Sequence, residues 1–208
     1  MRSVDLQSRL LAWSLANSGN DEHRNYIGLS GIADCERVII ERWRGGNHPE
    51  DAELLKFGLG YDMEHILIGR LKALGLYRAG PAISLYGGMV QGHTDGLTPD
   101  GDLIEIKSVP GAQHLPVNGK LPRRVYWQVQ AYLYFGRLRY AHVIYLARDT
   151  GALAVYGLRL SPEVGHEIEA KVARLVEFAR SGRTPACTCG RCVLTAAGLP
   201  VAAEEGEA

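Results

Sequence analysis

Apolar residues recur along the chain at two different spacings, which predict both helices and strands. Residues 3 to 17 carry leucines at positions 6, 10, 11 and 15, which lie on one side of an amphipathic helix. The same spacing runs from residue 49 to residue 74 and predicts a long helix. Between these two, Ser30 is a suitable cap for a helix over residues 31 to 44, which would place Cys35 in its first turns.

The pattern then changes to one that predicts a β-hairpin. Residues 82 to 97, AISLYGGMVQGHTDGL, and residues 102 to 109, DLIEIKSV, have the apolar and β-branched content of strands. The residues between them, TPDGD, combine Pro, Asp and Gly, which are typical of a tight turn. The hairpin carries several acidic residues.

Helical spacing returns over residues 122 to 136, although their aromatic and β-branched content is also compatible with a strand; we predict a helix. Two strands follow, at residues 140 to 148 and 152 to 160. The last helix is predicted from Ser161, a typical cap followed by proline, to Gly182. This order of elements predicts an α/β fold with a mixed sheet flanked by helices.

The composition favours one domain. A chain of 208 residues with 46% hydrophobic residues can bury a single sizeable core. Within residues 1 to 208 we expect an N-terminal helical part to residue 48, a core over 49 to 182, and a cysteine segment with an acidic tail over 183 to 208. The sequence lacks an apolar run of about 18 residues and the apolar stretch of a signal peptide, so we expect a cytoplasmic protein without a membrane span.

The charge balance does not predict a strongly basic nucleic-acid-binding domain. The formal net charge is zero, and three of the 23 acidic residues lie in the tail EEGEA, which leaves a small basic surplus elsewhere. Binding of nucleic acid would therefore depend on metal ions or on a local patch such as Lys120, Arg123 and Arg124.

The hairpin brings together residues that suit a divalent cation. In a strand, Glu105 and Lys107 project from one face while Ile104 and Ile106 turn into the core, and Asp95 on the preceding strand can reach the same point. Two carboxylates and the carbonyl of Ile106 are oxygen ligands that Mg²⁺ or Mn²⁺ prefers. The alternative is a pair of neighbouring surface charges on a half-exposed strand.

This arrangement resembles the PD-(D/E)XK nuclease superfamily, whose motif is an acid, a variable gap, a second acid, any residue and lysine. Asp95, Glu105, Ile106 and Lys107 match it, and Thr94 stands where a proline is usual, as in the RecB-like branch. The resemblance implies a restriction-endonuclease-like core that hydrolyses phosphodiester bonds with metal bound at Asp95 and Glu105 and with Lys107 assisting the attacking water.

Two further motifs resemble those of the RecB-like branch. GLGYDMEHIL is similar to its upstream metal-ligand helix, which implies His65 as an additional ligand, with Glu64 beside it. WQVQAYLYF is similar to its glutamine and tyrosine helix, which implies that Gln128 and Tyr132 contact DNA or steady Lys107. The other possible pair in this stretch is Gln130 and Tyr134.

The four cysteines predict a metal or cluster site. Cys35 stands alone near the start, whereas Cys187, Cys189 and Cys192 are too closely spaced for an ordinary disulfide framework. One early cysteine and three late ones resemble the iron-sulfur RecB-like nucleases, including the CRISPR-associated exonuclease, the fourth Cas family. The resemblance implies a 4Fe-4S cluster that closes the cysteine segment onto the N-terminal helices, and four thiolates also suit zinc.

Together these resemblances imply a Mg²⁺- or Mn²⁺-dependent exonuclease that acts on DNA ends. They imply DNA as partner, and also CRISPR integrase proteins, with spacer precursors as substrate, or phage recombination factors. Two alternatives remain from other classes: a non-catalytic module that binds DNA ends, and a zinc-stabilised protein whose acidic hairpin is only surface.

Overall fold

Five α-helices and nine strands form the part of the chain that the computed structural model describes, namely residues 3–17, 25–46, 50–187, 189, 192–194 and 200–202. The helices are α1 Ser3–Ala16, α2 Glu36–Glu41, α3 Asp51–Ala73, α4 Arg123–Phe135 and α5 Pro162–Ser181. The strands are β1 Ile27–Gly28, β2 Ala82–Leu85, β3 Val90–His93, β4 Gly96–Leu97, β5 Leu103–Val109, β6 Tyr140–Ala147, β7 Leu153–Arg159, β8 Cys192–Leu194 and β9 Pro200–Ala202. None of the helices described is long and apolar enough to cross a membrane.

The main sheet has the strand order β4-β5-β6-β7. β5 and β6 are parallel, with α4 in the connection between them, while β4 and β7 run antiparallel to their neighbours. The register places Glu105 beside Val143 and Lys107 beside Tyr145. The predicted mixed sheet is therefore confirmed. A smaller sheet of order β1-β3-β2 leads the chain into β4.

The two faces of β5 pack against different helices. Leu103 belongs to a core shared with α4 and α5, where Leu133 and Ile168 are fully buried. Ile104 and Ile106 face the opposite way and pack with Leu67 of α3. Each such side chain contributes about 1.5–3 kcal/mol when it leaves water. The alternation of β5 thus fixes the sheet between α3 on one face and the α4 and α5 pair on the other.

The predicted helix over residues 31 to 44 starts later than expected. Leu29–Gly31 form a short 3-10 turn, and α2 begins only at Glu36, so Cys35 precedes the helix. The reason is tertiary contact, because the carboxylate of Asp34 pairs with two arginines and its carbonyl accepts a hydrogen bond from Lys171. These bonds hold the chain before α2 as a loop.

The remaining helices agree with the expected positions. The hydroxyl of Ser161 accepts a hydrogen bond from the Val164 N–H at 3.4 Å, and Gly182 ends α5 with φ of 71°. The leucine face of α1 is only partly covered by its contact with α3. Leu6, Leu10 and Leu11 remain about half exposed.

Candidate active site and cysteine group

The edge of β5 is open beside the predicted catalytic residues. β4 has two residues, and along β5 it pairs with Leu103 and Ile104. Beyond that point Asp95 takes the place of a strand partner, because its Oδ2 accepts a hydrogen bond of 2.6 Å from the Ile106 N–H. The N–H and C=O of one strand residue point to the same side. The carbonyl of Ile106 therefore faces the same open edge as the Asp95 carboxylate.

Glu105 lies in a closed hydrogen-bond network on the α4 side of the sheet. Its side chain is 1% exposed, and Oε1 accepts from Lys107 Nζ at 2.7 Å and from Gln128 Nε2 at 2.8 Å. Gln128 Oε1 in turn accepts from Lys107 Nζ at 3.0 Å. The amide of Gln128 thus bridges the acid and the lysine, and all three side chains are held in one geometry.

The second carboxylate oxygen of Glu105 lies outside this hydrogen-bond network. Oε2 is buried and lacks a hydrogen-bond partner among the residues that the structure describes. A buried carboxylate oxygen without a partner is costly, and a bound cation would remove that cost. This atom therefore fits a metal ligand better than it fits a purely structural carboxylate.

The electrostatics of the edge point the same way. Burial, then Glu105 and Glu64, raise the pKa of Asp95 well above its usual range, and burial and Glu105 also raise the pKa of Glu64. Burial lowers the pKa of Lys107, but the neighbouring Glu105, Asp95 and Glu64 outweigh it and the net shift is upward. Three carboxylates thus surround one ammonium group, and a divalent cation would balance the surplus negative charge.

His65 and Glu64 are neighbours in α3 but lie in different environments. The imidazole of His65 is exposed, and its Nδ1 lies 2.9 Å from the Tyr61 carbonyl oxygen. The His65 and Tyr61 ring centroids are 4.2 Å apart, with the ring planes tilted by 59°. No three histidine, aspartate or glutamate ligand atoms in the described ranges lie within 4.8 Å of one another. Glu64, from the same turn, is the group whose charge acts on Asp95, Glu105 and Lys107.

The placement of Glu64 follows from the packing of α3 on β5 at Gly60. Gly60 packs beside Ser108 of β5, since a Cβ at Gly60 would lie 3.7 Å from its Oγ. Residues four positions apart share one helix face, so Glu64 must also face the sheet whenever Gly60 does. The neighbouring His65 is rotated away from that face.

Of the two glutamine and tyrosine pairs, Gln128 and Tyr132 reach the acidic hairpin. Tyr132 is 2% exposed, its hydroxyl accepts from Gln128 at 3.3 Å, and its ring packs on Gly92, where a Cβ would lie 2.7 Å from Cε1. Gln130 instead donates to the Arg159 carbonyl and accepts from the Ser161 N–H. The second glutamine therefore ties α4 to the end of β7.

The two arginines of the predicted basic patch form contacts with other residues of the chain. Arg123 donates to the Ala33 carbonyl at 2.8 Å and lies over the Trp127 ring, and Arg124 pairs with Asp34 at 3.0 Å. These contacts dock the start of α4 on the loop before Cys35. Lys120 is exposed.

Three of the cysteines converge. The sulfur atoms of Cys35, Cys187 and Cys189 lie within 4.8 Å of one another, and the last two are 3.6 Å apart. These separations suit thiolates around one metal or cluster. The side chain of Cys192 lies outside the described residues, so the fourth predicted ligand remains a prediction.

Comparison with solved structures shows the fold. No family model and no curated protein sequence matches the chain. The crystal structure of SSO0001 superposes with a TM-score of 0.56 at 17% identity, over 88% of this chain and 89% of the other. The alkaline exonuclease LHK-Exo from Laribacter hongkongensis, also solved in complex with dAMP, superposes at 0.59 and 17% identity, over 82% of this chain and 93% of the other.

The chain has a nuclease-like fold. The likeness covers most of both chains in each comparison. The expected α/β architecture with a mixed sheet flanked by helices is confirmed, and the PD-(D/E)XK assignment stays a prediction.

Proposed function

We propose that the protein is a divalent-metal-dependent exonuclease that hydrolyses phosphodiester bonds at DNA ends. The observation that carries this proposal is the buried Glu105. Lys107 and Gln128 hold one of its carboxylate oxygens, while the other lacks a donor among the residues that the structure describes. The name of the structurally similar LHK-Exo, an alkaline exonuclease solved with dAMP, supports DNA as the substrate class.

The residues at the open edge would hold the metal. Asp95, Glu105 and the Ile106 carbonyl are the proposed ligands of Mg²⁺ or Mn²⁺, with Glu64 facing them and His65 as a further ligand to be tested. When bound, such an ion polarises a phosphate and lowers the pKa of a coordinated water.

Lys107 and Gln128 have separate parts in the proposed reaction. The raised pKa of Lys107 keeps its amine charged, so it donates hydrogen bonds to the phosphate or the attacking water and stabilises developing negative charge. Gln128, held with Tyr132 on α4, fixes the positions of Glu105 and Lys107. It is a positioning residue.

For the cysteine group we propose a 4Fe-4S cluster bound by Cys35, Cys187, Cys189 and Cys192. The grouping of three sulfur atoms from the two ends of the chain supports it, and zinc is the alternative. The cluster would act as a fold clamp. A role with CRISPR integrase proteins or with phage recombination factors rests on the sequence motifs.

The test is cleavage of end-labelled single-stranded DNA by anaerobically purified protein with Mn²⁺, Mg²⁺ or chelator. Wild type should digest the strand only with metal, and Glu105→Gln and Lys107→Ala should lose at least about 100-fold in rate. Glu169→Gln is the matched control, because this exposed acid on α5 bonds Tyr134 and should leave the rate unchanged.

Each alternative gives a different result in that experiment. DNA binding without cleavage under any metal would replace the nuclease by an end-binding module. Zinc instead of iron in metal analysis, together with absence of cleavage, would identify a zinc-stabilised protein. Equal loss of activity in Glu169→Gln would show that the variants report folding rather than chemistry.

A further inference from the structure

An arginine lies at the carboxyl end of β6, next to the catalytic strand. The backbone N–H of Arg148 donates to the Val109 carbonyl at 2.9 Å, and its Nη1 donates to Ser108 Oγ at 3.3 Å. Ser108 directly follows Lys107 in β5. The guanidinium group is therefore fixed at the end of the strand that holds the proposed catalytic residues.

The distance from Arg148 to the acidic edge, the open edge of β5 with Asp95 and Glu105, can be followed along α3. Gly60 approaches Ser108 on the α3 side of β5, and Glu64 lies one helical turn further along the same face. One turn corresponds to about 5.4 Å along the axis. The pair formed by Ser108 and Arg148 is therefore about one turn of α3 away from the glutamate whose charge acts on Asp95 and Glu105.

The side-chain contacts of Arg148 differ from those of several other arginines. Within the described parts of the chain, no carboxylate lies at ion-pair distance from its half-buried guanidinium, and a serine hydroxyl is its side-chain contact. Other arginines of the chain do pair with carboxylates, namely Arg42, Arg124, Arg174 and Arg183. A guanidinium with several unused donors is suited to a phosphate group.

We propose that Arg148, oriented by Ser108, binds a phosphate of the DNA strand next to the phosphate that is cleaved. The proposal rests on the proposed nuclease function, because it takes the cleaved phosphate to lie at the acidic edge. The contact holds the strand by its backbone, so it is independent of base sequence. Arg148 thereby places the neighbouring phosphate in the active site.

A matched pair of arginines allows a direct test, since Arg139 and Arg148 stand immediately before and after β6. At the usual rise per strand residue, the two arginines are about 30 Å apart along β6. Affinity for a single-stranded oligonucleotide is measured in EDTA across a salt series, for wild type, Arg148→Ala, Arg148→Lys and Arg139→Ala. The melting temperature of each variant reports its folding.

Arg148→Ala should weaken binding about 10-fold, and its plot of log affinity against log salt should be shallower by about 0.7. Arg148→Lys should restore the salt dependence and part of the affinity, while Arg139→Ala should match wild type. Identical affinity and salt dependence in Arg148→Ala and Arg139→Ala would overturn the proposal.

Oligonucleotides with single neutral methylphosphonates locate the contact. Wild type should lose cleavage when the phosphate beside the cut is replaced, and Arg148→Ala should show no additional loss from that replacement. If the loss of cleavage from the methylphosphonate and the loss from Arg148→Ala add together, Arg148 acts elsewhere and the proposal fails.

The two proposals can fail separately. Cleavage by wild type without any effect of Arg148 overturns the phosphate contact alone. Arg148-dependent binding without cleavage under any metal overturns the nuclease and leaves the contact as part of a DNA-binding site. Wild type that neither binds nor cleaves DNA overturns both.

Discussion

Gln128 donates a hydrogen bond of 2.8 Å from the middle of α4 to Oε1 of Glu105, and the two residues are only 7% and 1% exposed. The bond leaves Oε2 of Glu105 as the oxygen without a donor in the described part of the chain. One amide therefore decides which carboxylate oxygen is available at the site.

Replacing Gln128 by Met should lower kcat about 10- to 100-fold with metal present, because loss of a residue that orients a metal ligand has effects of this size. Glu105 and Lys107 would remain, but neither would be held by α4. Steady-state kinetics over a range of Mn²⁺ concentrations measures the effect and should also show a higher Mn²⁺ requirement.

Gln130→Met is the control for this change. Gln130 is also buried on the same helix but bonds Arg159 and Ser161 at the end of β7. It should lower the melting temperature and leave kcat and the Mn²⁺ requirement of the folded protein unchanged. An equal loss of kcat in both variants would contradict a specific role for Gln128.

Tyr145→Phe should stabilise the protein at neutral pH. The hydroxyl of Tyr145 is buried beside Lys107 in the sheet and lacks a hydrogen-bond partner among the described residues. Removal of such a group should raise the free energy of unfolding by about 1 kcal/mol. Urea unfolding measures this, and a destabilised variant would reveal a partner for the hydroxyl.

The same tyrosine predicts a pH dependence of stability. Burial, with smaller effects of Tyr156 and Glu105, raises the pKa of Tyr145 to about 12, whereas an unfolded tyrosine titrates near 10. Its contribution is complete below pH 10 and is lost as the pH rises to about 12. As the pH rises from 10 to about 12, the free energy of unfolding of wild type should fall by about 2–3 kcal/mol more than that of Tyr145→Phe. Parallel loss in the two proteins would disprove the shift.

Two glycines should respond in opposite ways to alanine. A Cβ at Gly92 would lie 2.7 Å from Tyr132 and 3.0 Å from Leu29, so Gly92→Ala should cost about 1–3 kcal/mol and disturb Gln128 through Tyr132. Gly69 in α3 has nothing within 4 Å of that position, and Gly69→Ala should gain about 0.5–1 kcal/mol from helix propensity. Thermal unfolding measures the stability of both variants. A change in the same direction in the two variants would contradict this packing.

Cys35→Ser should reduce bound iron and visible absorbance, and should lower the melting temperature by about 5 °C or more, because metal binding adds directly to folding stability. Removal of iron from wild type should give a similar decrease. Metal analysis and thermal unfolding measure both effects. An unchanged metal content in Cys35→Ser would show that Cys35 is not a ligand.

The sequence predicted those parts of the structure that depend on local patterns. The spacing of apolar residues in α3 and the cap at Ser161 act over a few residues, and the helices follow them closely. The start of α2 was predicted too early because Asp34 pairs with Arg42 and Arg124, and the latter lies 90 residues away in sequence. Local pattern carries no information about such a contact.

In the candidate site, too, some features follow from local sequence pattern and others depend on distant contacts. The period of a strand placed Glu105 and Lys107 on one face, as the structure has them. The free Oε2 of Glu105 and the placement of Glu64 toward Asp95 depend on how α3 and α4 dock on the sheet. Docking is decided by side chains from distant parts of the chain, and a single sequence does not display it.

The short turn between β4 and β5 has a consequence for tolerance to insertion and deletion. The Thr98 N–H bonds the Asp102 carbonyl at 2.8 Å, which fixes Gly96 opposite Ile104 and so brings Asp95 to the Ile106 N–H. A change of one residue here would shift that pairing and turn Asp95 away. An exposed loop without any catalytic side chain should therefore have an invariant length in active variants, whereas exposed loops generally accept such changes.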